Sequence, residues 1–347
     1  MSFATWALDA SALGTWRAVD PPGALPHIAR ILDAASPASD CEAEIDVEML
    51  AVDATSYRAI RERCDANPQE MARVISQIVA KHGKLQNPWT GSGGVLMGRV
   101  RAVGARYEMS DLAVGERVVP LASLIAIPLS LESVGPADPA SAQVPARGRA
   151  IVTGRMLCTS LPEDFSELVA LAALDVYPAA SHVREMAGAG QHVLVLGTGH
   201  AGLLAVAAAR EAVGSTGHVT ALDNSPRALA RVGEIDSATA TVQADVTDPV
   251  GVAAALARHG LPPADLTLLC TSVPGGEGSA LLATAQRGTV LFFSTATRFA
   301  AAALGADAIG SQARLVIPNG LTDDRGEYAF ELLRRIPALH RAFEVQP

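Results

Sequence analysis

A chain of 347 residues, 49% hydrophobic and 18% charged, is long enough for two domains with separate cores. Its formal net charge of -9, with no run of basic residues, argues against nucleic acid as a partner. No apolar stretch reaches the roughly 18 residues of a membrane-spanning helix, and the opening Met1–Ala10 lacks the positive start and apolar block of a secretory signal, so a cytoplasmic protein is expected. Cys41, Cys64, Cys158 and Cys270 stand far apart, without a CxxC pair, which fits reduced thiols rather than a disulfide framework.

Residues 1–165 read as a mixed, strand-rich domain. Glu44–Met49 alternates polar and apolar residues, as a half-buried strand does. Asn67 can cap a helix that Pro68 opens; Met71, Val74, Ile75, Ile78 and Val79 share one face of it, and Gly83 is placed to end it. A turn-rich stretch over 87–94 leads into a strand over Val95–Val100, and Val114–Pro120 reads as a turn entering another. Between about 133 and 150 Pro, Ala, Ser and Gly dominate, which predicts a surface loop.

Over residues 166–315 the pattern becomes strand–helix alternation. Strands are expected over His192–Leu196, Val219–Asp223, Thr239–Gln243, Leu266–Cys270, Thr289–Ser294 and Arg314–Ile317. Apolar, β-rich runs separated mostly by helices call for an α/β fold with a doubly wound parallel sheet of the Rossmann type. The last stretch, Glu327–Phe343, reads as one helix, and residues 316–347 are expected to pack back on the first domain.

After Leu196 comes Gly197-Thr198-Gly199-His200-Ala201-Gly202, a G-x-G-x-x-G turn between a strand and a helix. Gly197 permits the tight turn, Gly199 lets the backbone approach a pyrophosphate, and Gly202 lets helix and strand pack closely. Amides and dipole at the helix start favour phosphate there. Asp223 stands 21 positions beyond Gly202 at a strand end, where a carboxylate accepts hydrogen bonds from the adenosine ribose. The same charge repels a 2′-phosphate, so NAD is expected in preference to NADP; Asn224 and Arg227 follow, and Arg227 would soften that preference. Asp245 either borders the adenine pocket or caps a helix ahead of Asp248-Pro249. Ser272 and Val273, like Ser294 and Thr295, follow the fourth and fifth strands, where ligands of open α/β sheets gather.

A strand-rich domain followed by a late Rossmann domain resembles the medium-chain dehydrogenase/reductase superfamily, with Gly91–Gly94 and Val114–Pro120 at its signature stretches. Four blocks, Gln86–Gly94, Ala170–Val176, Phe292–Phe299 and Ala303–Gly310, are similar to the L-erythro-3,5-diaminohexanoate dehydrogenase family, over about residues 42–343. The resemblance implies a GroES-like first domain and NAD-dependent oxidative deamination of a diamino acid, or a close β-amino acid, to the 3-oxo acid and ammonia. It also implies a homo-oligomer, dimer or tetramer, with a small amino acid as its partner and no membrane attachment. Zinc members of the superfamily carry an early Cys and a Gly-His-Glu; the matching stretches here are Asp53-Ala-Thr-Ser56 and Gly91-Ser92-Gly93, so no metal is expected.

Without a metal, the amine must lose its proton to a side-chain base. Asp53 and Asp175 are the candidates, Asp175 standing in an apolar run whose burial would raise its pKa. Thr90 and Ser92 are placed to hydrogen-bond substrate or water, and Arg298 or Lys84 to receive the substrate carboxylate. Tyr57 reads as a proton relay or as a core residue, and His200 as either flanking the cofactor or facing solvent. His82, at a helix end, and His182 read as structural. Two other readings remain: a zinc-independent enone or quinone reductase of the same superfamily, and a nucleotide-binding protein without catalysis.

Overall fold

Two stretches of different periodicity form two units, Met1–Asp175 and Val176–Pro347, in a computed structural model that describes residues 12–108, 112–137 and 141–345. The Met1–Ala10 opening lies outside the described residues, as do positions 138–140 of the expected loop.

The first unit runs β1 (Ala18–Asp20), β2 (Ile31–Leu32), β3 (Glu42–Val52), α1 (Ala54–Arg63), α2 (Pro68–His82), β4 (Gly94–Val103), β5 (Arg117–Pro120), β6 (Leu129–Val134), β7 (Gln143–Thr153), β8 (Cys158–Ser160) and α3 (Glu167–Val176). The first two strands make a small antiparallel ribbon, and the rest form an antiparallel sheet in the order β6-β7-β3-β4-β5-β8. Alternation along β3 buries Ala43, Ile45 and Val47, which pack with Met71, Ile75 and Val79 of α2 in one core. Asn67 caps α2 as expected, its Oδ1 accepting the amides of Gln69 and Glu70, and Gly83 ends it at φ 64.

The loop expected over 133–150 is shorter than that: residues 135–137 and 141–142 lie outside any strand, but Gln143–Thr153 is the strand β7, paired with both β3 and β6. Val144, Ala146, Ala150 and Val152 are buried on it despite the Pro- and Gly-rich composition. Pro145 is tolerated because it faces Met49 at the irregularity in the β3–β7 register. Gly148 (φ 158) lies where a Cβ would come within 2.1 Å of the Ser130 carbonyl oxygen.

The second unit runs α4 (Pro178–Met186), β9 (His192–Leu196), α5 (His200–Val213), β10 (His218–Asp223), α6 (Pro226–Ile235), β11 (Ala240–Gln243), α7 (Pro249–Arg258), β12 (Ala264–Leu269), α8 (Glu277–Ala283), β13 (Thr284–Phe292), α9 (Phe299–Ala308), β14 (Arg314–Val316), α10 (Glu327–Arg335) and α11 (Pro337–Phe343). Its strands are all parallel in the order β11-β10-β9-β12-β13-β14, the doubly wound Rossmann arrangement, with the switch point between β9 and β12. The C-terminal stretch differs from expectation twice. Pro337, which has no N–H to donate, divides it into two helices. Those helices belong to the second unit rather than the first: α10 packs on α4 and α5, and α11 on α5 and α6. Tyr328, Phe330, Leu332 and Leu333 bury one face of α10, while the Tyr328 hydroxyl donates to Glu211 Oε2 on α5 at 2.9 Å. No helix among the described residues is long and apolar enough to cross a membrane.

Removing the α2 cap should cost about 1 kcal/mol. In urea unfolding of the whole chain, Asn67→Ala is expected to lower the midpoint of the first unit and Asn67→Asp to leave it nearly in place; equal midpoints for Asn67→Ala and the parent would contradict this.

Candidate functional site

Register places the first group of side chains. Val52 pairs with Gly94 across β3 and β4, so Asp53, just past one strand, meets residues 87–93, just before the other. Gly94 (φ +107) makes that approach possible, since a Cβ there would lie 2.1 Å from the Ala51 carbonyl oxygen. Asp53, the single residue between β3 and α1, caps that helix: its Oδ1 accepts the Ser56 amide at 3.0 Å. That oxygen also accepts the Ser92 hydroxyl at 3.0 Å. The Ser56 hydroxyl stands 2.7 Å from both Thr90 Oγ1 and Ser92 Oγ, with Ser92 Oγ 3.1 Å from Thr90 Oγ1. Asn87 holds the loop to the helix by donating to the Ser56 carbonyl at 3.1 Å. The other carboxylate oxygen, Asp53 Oδ2, is buried with no hydrogen-bond partner.

A buried acceptor without a donor is costly. Burial raises the Asp53 pKa, against the lowering effect of its bonds to Ser56 and Ser92. Asp175, half-buried near the end of α3, is pushed up to about 7 by burial first and by the Asp53 charge second. Two desolvated carboxylates that feel each other disfavour double ionisation, and an arriving cation would relieve both. Ser56 was not singled out in the sequence. Its signal was the Asp-x-x-Ser spacing of a helix cap, obscured because α1 carries three Arg and little apolar periodicity.

In the second unit the glycine turn follows β9 at the switch point. Gly197 has φ +95, and a Cβ there would come 2.8 Å from Thr271 Cγ2; a Cβ on Gly202 would lie 2.0 Å from the Gly197 carbonyl oxygen. No side chain caps the first turn of α5, so its amides are left for a ligand. The Thr198 amide and hydroxyl both donate to Asp223 Oδ2, at 2.8 and 2.9 Å, and the Ser225 amide donates to Oδ1 at 2.9 Å. The turn therefore fits a dinucleotide pyrophosphate, with Asp223 beside it. Past β13, the Ser294 hydroxyl donates to the Thr271 carbonyl, Thr295 is exposed, and the buried Thr297 Oγ1 has no partner. Val273 packs against the core, and the Asn224 carbonyl accepts from Gln243 at 3.2 Å.

Several expected side chains are committed elsewhere. The His200 imidazole turns away from the turn: it stacks on Phe343 with ring centroids 4.2 Å apart, and its Nε2 lies 3.2 and 3.0 Å from the carbonyls of Ala342 and Val345. Burial drops its pKa to about 4, so it stays neutral, and only its backbone remains with the motif. Lys84 is fully buried, its ammonium donating to the carbonyls of Pro26 and His27 at 3.0 and 3.4 Å, which removes it as a receiver of substrate carboxylate. Tyr57 packs in the first core. Asp245 is exposed and holds the Thr247 amide and hydroxyl at 2.9 and 2.8 Å; Asp248, not Asp245, caps α7. The Arg298 side chain is exposed at the start of α9, its amide donating to the buried Glu277 at 2.6 Å. His82 and His182 lie 3.0 Å from the carbonyls of Arg30 and Asn319. Among the described residues no three or more His, Cys, Asp or Glu side chains are grouped to hold a metal.

Because the Asp175 pKa near 7 exceeds its ordinary 3.8, the folded chain keeps a proton there that the unfolded chain releases, so stability from this group falls as pH rises from about 4 to 7. Asp175→Asn should abolish that fall and be the more stable protein at pH 8, with the gap closing toward pH 4; parallel stability–pH curves would refute it.

The family model for the L-erythro-3,5-diaminohexanoate dehydrogenase N-terminal domain matches residues 16–162. L-erythro-3,5-diaminohexanoate dehydrogenase of Acetoanaerobium sticklandii is 34% identical over 334 residues, 95% of this chain and 97% of that protein. The protein of the same name from Fusobacterium nucleatum is 34% identical over 333 residues, covering 95% and 96%. Among solved structures, a mycobacterial protein in complex with NADPH shares the fold at TM-score 0.54 and 18% identity, over 89% of this chain and 88% of its own. With a strand-rich sheet, a parallel Rossmann sheet and full-length relatives at this identity, the chain belongs to the L-erythro-3,5-diaminohexanoate dehydrogenase family.

Proposed function

We propose that this chain oxidatively deaminates L-erythro-3,5-diaminohexanoate, or a close β-amino acid, with NAD as hydride acceptor. The observation that carries the reading is the buried, unpartnered Oδ2 of Asp53 with Asp175 in electrostatic reach. A pair of desolvated carboxylates suits a dicationic amino acid, and two carboxylates are out of place in a pocket for a neutral enone.

Bound nicotinamide supplies the hydride acceptor. Asp53 Oδ2 receives a substrate ammonium, while Ser92 and the Ser56 amide keep its other oxygen fixed. Asp175, with its pKa near 7, takes the proton from the amine that reacts, leaving the nitrogen lone pair to assist departure of hydride from the adjacent carbon. The substrate imine then adds water, and the Thr90 and Ser92 hydroxyls are placed to orient it; carbon–nitrogen cleavage gives the 3-oxo acid and ammonia. In the second unit the amides at the start of α5 hold the pyrophosphate and Asp223 the adenosine ribose. The Asp223 charge favours NAD over NADP.

Asp53→Asn should lower kcat/KM for the diamino acid by about a hundredfold, in the range of a lost acid–base or ion-pair partner, while NADH binding is retained. The parent's kcat/KM should rise with pH through about 7, and Asp175→Asn should erase that limb. A pH profile unaltered by Asp175→Asn would remove Asp175 as the base. Asp223→Ser should erode the kcat/KM preference for NAD; equal use of NAD and NADP by the parent would remove that role from Asp223.

A further inference from the structure

The hydrogen bonds around Asp223 carry a consequence for dinucleotide choice that rests on the nicotinamide reading. Thr198 is fully buried inside the glycine turn, yet it spends both its amide and its hydroxyl on the single oxygen Asp223 Oδ2, at 2.8 and 2.9 Å. The second oxygen is held by the Ser225 amide at 2.9 Å, and Ser225 in turn caps α6 through its hydroxyl to the Ala228 amide at 3.3 Å. The turn, the carboxylate and the start of α6 are thus one hydrogen-bonded body, in which the carboxylate cannot rotate without giving up donors. The same helix carries Arg227 and Arg231, four residues apart and so on one face. Arg227 is exposed and Arg231 half-buried. Arg231 feels the charges of both Arg227 and Asp223, and its pKa is lowered by burial first and by the Arg227 charge second.

We propose that Thr198 is the positioning residue for cofactor choice: its hydroxyl fixes Asp223 toward a ribose 2′-hydroxyl, and Arg227 with Arg231 forms a latent receptor for a 2′-phosphate. With the carboxylate held, a 2′-phosphate meets a fixed negative charge ahead of the two cations. With the hydroxyl gone, one donor to Oδ2 is lost, the carboxylate turns toward the arginines or solvent, and the barrier to the phosphate falls. Glycine spacing and an acidic residue at a strand end mark a dinucleotide site without marking this linkage, because the residue between the first two glycines is unconstrained by the motif.

The test measures binding rather than turnover. Isothermal titration calorimetry of the whole chain with ADP-ribose and with 2′-phospho-ADP-ribose gives a discrimination ratio for the parent, Thr198→Val, Thr198→Ser and Asp223→Ser. The parent should prefer ADP-ribose. Thr198→Val should lose about tenfold of that ratio, the size of one charge-assisted hydrogen bond, and Thr198→Ser should keep it. Adding Arg231→Gln to Thr198→Val should weaken the phosphorylated ligand more than the plain one. Should Thr198→Val not fold, Thr198→Ala removes the same hydroxyl and is read the same way. A ratio unchanged in Thr198→Val but lost in Asp223→Ser overturns the positioning role and leaves the cofactor reading intact. A parent that binds neither ligand overturns both, and a ratio that Asp223→Ser leaves unmoved overturns this proposal together with the role of Asp223.

Discussion

A carboxylate taken out of water without enough donors is the constraint on which the chemistry proposed for the first unit depends. Asp53 accepts an amide and a hydroxyl through one oxygen and leaves the other buried and alone. A chain selected for stability alone would place an apolar residue or a fully bonded cap there. Holding the group in place requires the antiparallel register of β3 and β4, a glycine at 94 that lets the strands close, and the N-terminus of α1. The hydroxyls of Ser56, Thr90 and Ser92 add no charge, so the site keeps its net negative character.

The second unit solves a different problem with backbone instead of side chains. A pyrophosphate needs amides pointing outward and room to come close, which the uncapped start of α5 and the turn at Gly197 supply. The price of that openness is met by packing behind it: the Cys270 thiol donates to the Gly197 carbonyl at 3.1 Å, and α11 covers His200. The dinucleotide turn is therefore braced from β12 on one side and from the C-terminal helix on the other. The His200 ring lies against α11 and the carbonyls of Ala342 and Val345, so only its backbone is left at the turn.

Much of this was legible in the residues. The parallel sheet followed from six apolar runs, and its strands lie where the runs do, with β9 at His192–Leu196. Asn67, Pro68 and Gly83 announced α2 because capping is local chemistry. The glycine turn was readable because the backbone at Gly197 and Gly202 leaves no room for a Cβ. β7 was not readable, since Pro145 and Gly148 are loop residues by composition and are accommodated only by a register irregularity and a close strand neighbour. Nor was the break at Pro337 expected within an otherwise continuous amphipathic pattern. Lys84 and His200 were misjudged for one reason: their partners, the carbonyls of Pro26 and His27 and of Ala342 and Val345, are backbone atoms far away in sequence. Long-range hydrogen bonds to carbonyls leave no mark on composition or periodicity.

The central proposal is that this chain oxidises an amine of a diamino acid with a nicotinamide as hydride acceptor. The most direct measurement mixes the purified protein with NAD and L-erythro-3,5-diaminohexanoate and follows both absorbance of the reduced nicotinamide and ammonia released. The account predicts reduction of NAD with ammonia formed in equal amount. No reduction with the diamino acid, alongside nicotinamide oxidation when enones or quinones are supplied instead, would contradict it.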